Sequence, residues 1–552
     1  MKRIYFASAL VAFFILLITA CGPAPDYDVI IRHGTIYDGS GSAPAQADLA
    51  IQADTVAAIG DLDTLRGRID IDATGLAVAP GFINMLSWAN ESLIEDGRGQ
   101  SDLRQGVTLE VLGEGWSMGP LSETMKQEET EQQGDIKYDI TWTTLGEYLQ
   151  FLETKGVAPN VASFVGSATV RIHEIGYENR VATPEELARM KQLVRQAMEE
   201  GAVGVSSALE YVPASFATTE ELIELARVAA EYDGMYISHI RHEGDAIFAA
   251  FDEFLTIVRE AGIRGEIYHL KASRKQNWDK LDEVLRRIEA ARAEDLAVTA
   301  DMYTYRAFST GLYIFFPAWV QEGGHKAWVE RLKDPSVRER LKIELDILPP
   351  EDILLIGFRN ENLRHLTGKT LAEVAAMRNA SPEETMMDLI IEDDSGVDII
   401  GFAMSAENIR KKIARPWVSF GSDAGALAPE GVFLNVQPHP RAYGTFARLL
   451  GKYVREERII PLEEAIRRLT HFPAANLKLD HRGLLKPGFF ADVVVFDPNT
   501  ITDHATFEKP HQYATGVIHV FVNGEQVLRD GEHTGVLPGR FVKGPGWKKD
   551  AR

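Results

Sequence analysis

The sequence predicts an α/β protein: a (β/α)8 TIM-like barrel with an insertion, plus a small β-sandwich built from both chain ends. Three observations lead to this prediction. Helix-period and strand segments alternate through the middle of the 552-residue chain, which is typical of repeated βα units around a parallel sheet. Short strand patterns separated by turn residues occupy both ends. The alternation breaks over residues 312–412, as it would at an insertion.

Residues 1–20 are predicted to be a signal peptide. Two basic residues precede an apolar run over residues 4–20, which is short for a membrane span of about 20 residues. The run ends in Leu-Ile-Thr-Ala-Cys-Gly, a pattern that resembles a bacterial lipobox. We therefore expect cleavage before Cys21, lipid on its sulfur, and a linker over residues 21–27. The alternative is an uncleaved N-terminal anchor.

Either alternative places the protein outside the cytoplasm. With lipid on Cys21 it would be anchored in the bacterial cell envelope on the periplasmic side, and Gly22 favours the outer membrane. Cys21 is the only cysteine of the chain, so an internal disulfide and a cysteine metal cluster are both excluded. The formal charge of 58 − 81 = −23 disfavours nucleic acid or an anionic membrane surface as the main partner.

The two chain ends are predicted to form one small β-sandwich. Residues 28–79 alternate strand patterns with turn signals such as Asp38-Gly39. Residues 481–552 repeat this organisation, with strand patterns at 491–497 and 516–522. We expect the two segments to form one β-sandwich that is split in the sequence by the large middle.

Residues 80–480 are predicted to form the barrel. Thr183-Pro184-Glu185-Glu186 reads as a capping box with proline at the first helical position. That helix would end at Gly201, and Thr218 would start the next helix in the same way. The predicted barrel strands include residues 107–113, 203–206, 235–240, 266–270, 298–302 and 417–421. The insertion over 312–412 contains a helix that begins at Asp334-Pro335.

Polar side chains follow four of these strands. His239 and His269 end two of them, and Glu114 and Asp423 follow two others. Active sites of such barrels lie at the carboxyl ends of the strands, so we expect the four side chains to meet. A single histidine is more often structural, but two histidines and two carboxylates at equivalent positions favour a zinc site with an open position for water.

The chain resembles the N-acyl-D-amino-acid deacylase (D-aminoacylase) branch of the amidohydrolase superfamily, over nearly its whole length after residue 28. The motifs that carry the resemblance are Ser-His-Ile-Arg-x-Glu-Gly at 238–244, Tyr-His-Leu-Lys-Ala at 268–272, Asp-x-Tyr-x-Tyr-x-Ala-x-Ser-Thr at 301–310, Gly-Ser-Asp at 421–423, His-Pro-Arg-x-x-Gly-Thr-Phe at 439–446, and Ala-Asp-Val-Val-Val-Phe-Asp at 491–497.

The resemblance implies roles for individual residues. It makes His239 and His269 ligands of a tightly bound metal, and Asp423 the base that moves a proton from water to the leaving amine. The substrate's carboxylate would be bound by Lys271, Tyr303, Ser309 and Arg441. Arginine can bind a carboxylate through two parallel hydrogen bonds and lysine through a point charge. A structural ion pair is the alternative for Lys271 and Arg441.

The chain departs from the family pattern at three places. Leu86 and Trp88 occupy the positions of the first-strand His-x-His motif. Glu114 takes the place of the family's metal-binding cysteine, in a segment one residue shorter. Ser167 stands where family members often have histidine. The first departure removes one metal position, and the second replaces a thiolate by a carboxylate.

The leading hypothesis is a hydrolase with one Zn²⁺ per chain, held by Glu114, His239 and His269, with Asp423 as general base. It would hydrolyse a C–N bond other than an ordinary peptide bond, by deacylation of a small anionic N-acyl-D-amino acid. A D-dipeptidase or cyclic amidase of the same superfamily is one alternative. A non-catalytic binding or scaffold lipoprotein is another, and Trp88 with Trp116 would either reshape the pocket or be ordinary core aromatics.

Overall fold

The computed structural model describes residues 25–548. The predicted signal peptide and Cys21 lie outside the described residues. Within residues 25–548, none of the helices has the length and apolar character needed to cross a bilayer.

The strands of residues 25–548 are, in chain order, β1 (Tyr27–Ile36), β2 (Ala45–Gln52), β3 (Thr55–Gly60), β4 (Gly67–Asp72), β5 (Ala77–Pro80), β6 (Phe82–Asn84), β7 (Val107–Leu112), β8 (Asn160–Ser163), β9 (Val165–Gly166), β10 (Gly204–Ala208), β11 (Met235–His239), β12 (Arg264–Ile267), β13 (Val298–Ala300), β14 (Phe308–Gly311), β15 (Ile353–Gly357), β16 (Asp398–Gly401), β17 (Val493–Phe496), β18 (Val517–Val522), β19 (Glu525–Arg529) and β20 (Glu532–His533).

The α-helices of the same residues are α1 (Ser92–Glu95), α2 (Gln100–Leu103), α3 (Glu123–Gln132), α4 (Leu145–Lys155), α5 (Ser167–Ile175), α6 (Pro184–Glu200), α7 (Thr219–Ala230), α8 (Ile247–Ala261), α9 (Lys280–Ala293), α10 (Ala318–Gln321), α11 (Gly324–Leu332), α12 (Pro335–Glu344), α13 (Leu371–Arg378), α14 (Pro382–Asp393), α15 (Ala406–Ile413), α16 (Arg441–Arg448), α17 (Leu462–Leu469) and α18 (His471–Asn476).

Strands from both chain ends share one sheet, as the sequence predicts. β5 pairs in parallel with β1 and antiparallel with β17, where Val78 faces Val495. The order is β20-β19-β18-β17-β5-β1-β2-β3, with β4 beside β1. Ile31, Leu49 and Phe521 belong to one apolar cluster drawn from both ends. The hydrogen-bonded ladder is continuous, so the two ends form a single β-domain.

The barrel strands are parallel and buried. β6-β7-β8 form one sheet and β9 to β13 form another, and nearly every residue of these strands is buried, as expected for a parallel sheet covered by helices. Phe164 joins β8 to β9, and its N–H donates to the Leu112 carbonyl at 2.9 Å. The predicted barrel is therefore confirmed.

Residues 417–421 close the barrel through short bridges instead of a long ladder. The Ser419 N–H donates to the Ala300 carbonyl at 2.8 Å on one side. The Met85 N–H donates to the Phe420 carbonyl at 3.2 Å on the other side. This last strand segment therefore joins the first strand of the barrel to the seventh.

The helix starts predicted from sequence are present, with one difference. Thr183 and Glu186 make both hydrogen bonds of a capping box on α6. Thr218 caps α7 through its hydroxyl. The Glu221 carboxylate, however, is buried and accepts a 2.6 Å hydrogen bond from Arg171, because a buried guanidinium needs an anionic partner.

Residues between β13 and 417 build a separate layer beside the barrel mouth. β14, β16 and β15 form an antiparallel sheet, and helices α10 to α14 pack against the same apolar cluster. Leu312, Trp328 and Ile399 belong to an apolar cluster that is separate from the barrel core. This layer supplies one wall of the cavity described below.

Candidate metal centre

Glu114 lies on a tight turn that follows β7. Gly113 and Gly115 flank it with φ of +96° and +70°, a region that favours glycine. A Cβ on Gly113 would lie 2.4 Å from the Phe164 carbonyl oxygen. Only glycine fits this close approach, and the turn directs the neighbouring carboxylate into the barrel mouth, where Glu114 is 4% exposed.

The two predicted histidines meet at the same mouth. His239 is the last residue of β11, and His269 lies two residues beyond β12. His269 has a φ of +35°, which is strained for a residue with a side chain. Its backbone N–H donates to the Asp301 carboxylate at 2.7 Å. A carboxylate after the next strand thus holds His269 in its unusual conformation.

Glu114, His239 and His269 converge on one point. Glu114 Oε1 lies 2.8 Å from His269 Nε2 and 3.3 Å from His239 Nδ1. One ligand atom from each lies within 4.8 Å of the others. A tetrahedral zinc with ligands at about 2.0–2.2 Å separates its ligand atoms by roughly 3.4 Å, so small shifts would accommodate the ion.

The electrostatics of this triad favour a bound cation. Burial alone would raise the pKa of Glu114, but the two imidazoles hold it well below its usual range. Burial alone would lower the pKa of His239, yet the carboxylates of Glu243, Glu114 and Glu210 raise it to about 10. Several carboxylates thus surround the two imidazoles, and two imidazoles with a carboxylate form a donor set that suits catalytic zinc.

Glu243 was not among the predicted site residues, although it lies four residues after His239 in the motif at 238–244. Its carboxylate lies 3.2 Å from His269 Nδ1 and 3.8 Å from His239 Nε2. It thus contacts both imidazoles on the side away from Glu114. A carboxylate in this position fixes the orientation and tautomer of a metal-binding histidine.

Lys271 belongs to the same network. Its Nζ lies 2.7 and 2.9 Å from the two Glu243 oxygens and 2.8 Å from His269 Nδ1. Burial alone would lower the pKa of Lys271, but the Glu243 carboxylate raises it above its usual value. The structure thus contains the ion pair that stood as the alternative for Lys271, and its predicted contact with substrate stays a prediction.

Asp423 lies across the mouth, paired with Arg441. Asp423 has a φ of +53°, and its N–H donates to the Leu86 carbonyl at 2.8 Å. Its Oδ2 accepts a 2.6 Å hydrogen bond from Arg441 Nη1. Burial and the nearby Glu114 carboxylate raise the pKa of Asp423, whereas the Arg441 guanidinium lowers it. The pKa of Asp423 lies above its usual value as a result. A base with a raised pKa is a better proton acceptor near neutral pH.

Arg441 keeps donors free for a ligand. Its Nε is buried without a hydrogen-bond partner among the described residues. Its Nη2 makes only a 3.4 Å contact to the Ser309 carbonyl. Nε and Nη2 form one edge of the guanidinium, which matches the geometry of a carboxylate. The predicted role in binding the substrate's carboxylate is therefore chemically available.

Tyr303 and Ser309 lie beside Arg441. The guanidinium lies over the Tyr303 ring at 4.7 Å, and the buried Tyr303 hydroxyl contacts the Met404 sulfur at 3.9 Å. Ser309 lines the cavity, while its hydroxyl donates to the Ile399 carbonyl. Both residues contact the arginine, and direct contact with substrate stays a prediction for each.

The two first-strand positions, Leu86 and Trp88, differ in their surroundings. Leu86 is buried in an apolar cluster with Ile83 and Met85. Trp88 is 39% exposed, and its indole N–H donates to Glu114 Oε2 at 2.9 Å. The sequence predicts apolar bulk at both positions, but the hydrogen bond depends on the relative orientation of two strands.

A single cavity of about 870 Å³ connects these groups. Its lining includes the triad, Lys271, Ser309, Asp423 and Arg441, but not Tyr303. Its other walls combine aromatic side chains with charged and polar ones. The structure therefore brings seven of the eight predicted site residues to one cavity.

Comparison with known proteins agrees with the geometry. The Amidohydrolase family model matches residues 354–528. D-aminoacylase from Alcaligenes xylosoxydans xylosoxydans is 34% identical over 524 residues, which cover 94% of this chain and 97% of the relative. The chain belongs to the D-aminoacylase branch of the amidohydrolases. The family resemblance of its motifs is thereby confirmed.

Two solved structures place this amidohydrolase among metal-containing relatives. One is a D-aminoacylase whose binuclear metal centre is described as having one-metal activation and second-metal attenuation. It is 32% identical with a TM-score of 0.80, and the match covers 94% of this chain and 100% of that chain. The other is N-acyl-D-glutamate deacylase from Bordetella bronchiseptica, in complex with zinc and a phosphonate mimic of the tetrahedral intermediate. It is 32% identical with a TM-score of 0.79, and the match covers 94% of this chain and 99% of that chain.

Proposed function

We propose that the chain is a zinc-dependent hydrolase that removes the acyl group of N-acyl-D-amino acids. One observation carries this proposal: a buried Glu-His-His triad and an Asp423–Arg441 pair line the same cavity. The related enzymes act on substrates of this class, as their names state. A binding or scaffold role would not need an aspartate beside a metal-binding triad.

Glu114, His239 and His269 are the residues that would hold the zinc. When bound, zinc lowers the pKa of a water molecule and polarises a carbonyl oxygen. Glu243 and Lys271 would hold the Nδ1 side of His269, so that Nε2 faces the ion. The buried position of these side chains excludes bulk water from the ligand atoms.

Asp423 would move one proton during the reaction. It would take a proton from the attacking water as the oxygen bonds to the acyl carbon. It would then give that proton to the amide nitrogen as the C–N bond breaks. The products are a carboxylate and a D-amino acid whose amino group ends as an ammonium, because it takes up the second proton of the water as well. The net reaction consumes one water, and Asp423 returns to its starting ionisation state.

Arg441 would bind the α-carboxylate of the substrate through its Nε–Nη2 edge. Its Nη1 could keep its hydrogen bond to Asp423 at the same time. One guanidinium would thus fix the distance between the substrate's carboxylate and the general base. Positioning of this kind contributes to catalysis because the reacting groups are already aligned.

Turnover of paired substrates by the zinc-loaded protein tests the proposal. We expect release of free amine from N-acetyl-D-amino acids, with the L-enantiomers hydrolysed at least about tenfold more slowly. Hydrolysis of D-dipeptides or cyclic amides in preference to N-acetyl-D-amino acids would instead indicate the dipeptidase or cyclic amidase. Ligand binding without any turnover would indicate the non-catalytic protein.

We also propose that the mature protein is anchored to the bacterial envelope by lipid on Cys21. The lipobox-like pattern before that residue supports this proposal, and two or more acyl chains hold a protein stably at a membrane. Labelling of cells with a radioactive or clickable fatty acid tests it. The wild-type chain should take up label, and Cys21→Ser should not; equal labelling of both would contradict the anchor.

A further inference from the structure

The inference concerns Trp88 and deepens the proposed zinc-dependent function, on which it rests. The two oxygens of the Glu114 carboxylate have different partners. Oε1 faces the imidazoles of His239 and His269 at 3.3 and 2.8 Å. Oε2 accepts a hydrogen bond from the Trp88 indole N–H at 2.9 Å. The carboxylate therefore presents one oxygen to the triad and the other to tryptophan.

Trp88 is held firmly in this position by its backbone. Its N–H donates to the Ala424 carbonyl at 3.0 Å, and the N–H of the preceding Ser87 donates to the Val111 carbonyl at 3.0 Å. These bonds connect the first barrel strand to its neighbours on both sides. The Trp88 backbone is thus fixed relative to the strand that precedes Glu114, and the indole is held by its hydrogen bond to Glu114 Oε2.

An indole nitrogen cannot act as a metal ligand in its ordinary state, because it offers a hydrogen and no lone pair. A carboxylate that bridges two cations through separate oxygens uses both of them. Here the oxygen that a second cation would need already accepts the indole hydrogen. Leu86, two residues before Trp88 in the chain, is apolar and 1% exposed.

Within residues 25–548, two groups of histidine and glutamate side chains lie close enough together to hold a metal ion. One is the triad, and the other joins His239 to Glu210 and Glu243 on the opposite side. Neither takes a ligand from the first strand. The second group also lies against the Lys271 ammonium, which already occupies both Glu243 oxygens.

We propose that Trp88 is a positioning residue that takes the place of a second metal ion. Its indole N–H holds Glu114 as a one-oxygen ligand, and its ring closes the second metal position together with Leu86. The centre consequently holds a single zinc, and excess zinc does not reduce its activity, in contrast to the second-metal attenuation described for the related D-aminoacylase.

Zinc affinity of the metal-free protein tests the positioning role. Trp88→Phe keeps the ring and removes the N–H, and we expect zinc affinity to fall about 10- to 100-fold, as for other residues that orient metal ligands. Trp116→Phe is the matched control, because that indole lines the same cavity without a hydrogen bond to Glu114, and its zinc affinity should match wild type. Unchanged affinity in Trp88→Phe would overturn the proposal.

Zinc stoichiometry of Leu86→His/Trp88→His tests the closed second position. We expect a second bound equivalent and inhibition by excess zinc in this variant, and neither in wild type. Inhibition of the wild-type enzyme by a second bound zinc would overturn the proposal. Zinc affinity and zinc stoichiometry are measured without substrate, so these two readouts decide the role of Trp88 even if the protein fails to deacylate N-acyl-D-amino acids.

Discussion

Asp423 and Glu243 are two carboxylates at the site with different contacts and therefore different roles. Asp423 faces the cavity and contacts Arg441. Glu243 contacts both triad histidines and Lys271. The first is placed to exchange protons with a substrate, and the second to orient metal ligands.

Replacement of Asp423 separates catalysis from binding. In Asp423→Asn we expect kcat to fall about 10²- to 10⁴-fold, because the amide cannot accept the proton of water. Zinc affinity and binding of a non-hydrolysable substrate analogue should stay within about threefold of wild type. Steady-state kinetics and calorimetry measure the two effects. Full turnover by the variant would show that another group is the base.

Replacement of Glu243 should affect zinc affinity more than kcat. Glu243→Gln keeps the shape of the side chain but loses the charge that faces His269 and Lys271. We expect zinc affinity to fall about tenfold or more, while kcat at saturating zinc falls less than in Asp423→Asn. Competition with a zinc chelator gives the affinity. Glu210→Gln is a useful comparison, because that partly exposed carboxylate contacts only His239 of the triad.

At the scale of elements, a buried polar network joins the first and last barrel strands beneath the site. The Asn84 amide donates to Glu110 at 2.8 Å and to the Ser422 hydroxyl at 2.8 Å. Its carbonyl oxygen accepts the Ser422 N–H at 2.8 Å. Because Ser422 precedes Asp423, this network holds the turn that carries the proposed base.

The same network predicts a pH dependence of stability. Burial raises the pKa of Glu110 from 4.5 to about 7, and burial with the nearby Glu110 carboxylate raises the pKa of Asp102. Between pH 4.5 and about 7 the folded chain retains a proton that the unfolded chain has released. The free energy of unfolding should therefore fall as the pH rises through this window.

Glu110→Gln removes this titration and keeps the hydrogen-bonding shape. Between pH 5 and pH 8 we expect wild type to lose about 1–3 kcal/mol more stability than the variant. Urea unfolding at both pH values measures the difference. The exposed Glu351→Gln is the matched control and should behave like wild type. Equal losses in wild type and Glu110→Gln would contradict the assignment.

The sequence predicts an element well when the residues that define it are neighbours in the chain, and poorly when the element depends on contacts between distant strands. The helix that begins at Thr183 is predicted because its cap needs only local residues. The closing strand at 417–421 is located correctly, but its short bridges depend on the partners on either side. His239, His269 and Asp423 follow from strand ends that share one edge of the barrel. The contacts of Glu243 and Trp88 require side-chain orientations across strands, which periodicity does not contain.

At the scale of the molecule, the layer between β13 and residue 417 shapes the substrate cavity. Its Phe308, Tyr313 and Phe316 line the wall opposite the triad. The Tyr211 ring lies 5.1 Å from His239 and 5.8 Å from Tyr313. An aromatic surface therefore extends from the metal centre into this layer.

The charges around the cavity predict a preference for substrates with one carboxylate. Most of its basic side chains are already paired: Arg241 with Glu253, Arg274 with Asp346, and Lys271 with Glu243. A second carboxylate on the substrate would meet aromatic walls without a free cation, which is costly.

We therefore expect kcat/KM for N-acetyl-D-phenylalanine or N-acetyl-D-leucine to exceed that for N-acetyl-D-glutamate at least about tenfold. N-acetyl-D-glutamine is the matched substrate, since it has nearly the same shape without the second charge, and it should be hydrolysed faster than the glutamate derivative. Equal kcat/KM for the glutamate and glutamine derivatives would show that the cavity accepts a second anion.

We propose above that this amidohydrolase works with a single zinc. The most direct test is reconstitution of the metal-free full chain with measured amounts of zinc, following bound metal and N-acetyl-D-amino acid hydrolysis together. We predict that activity rises linearly to a maximum at one bound zinc per chain and stays at that level when more zinc is added. Activity that requires two bound zinc ions would contradict the claim.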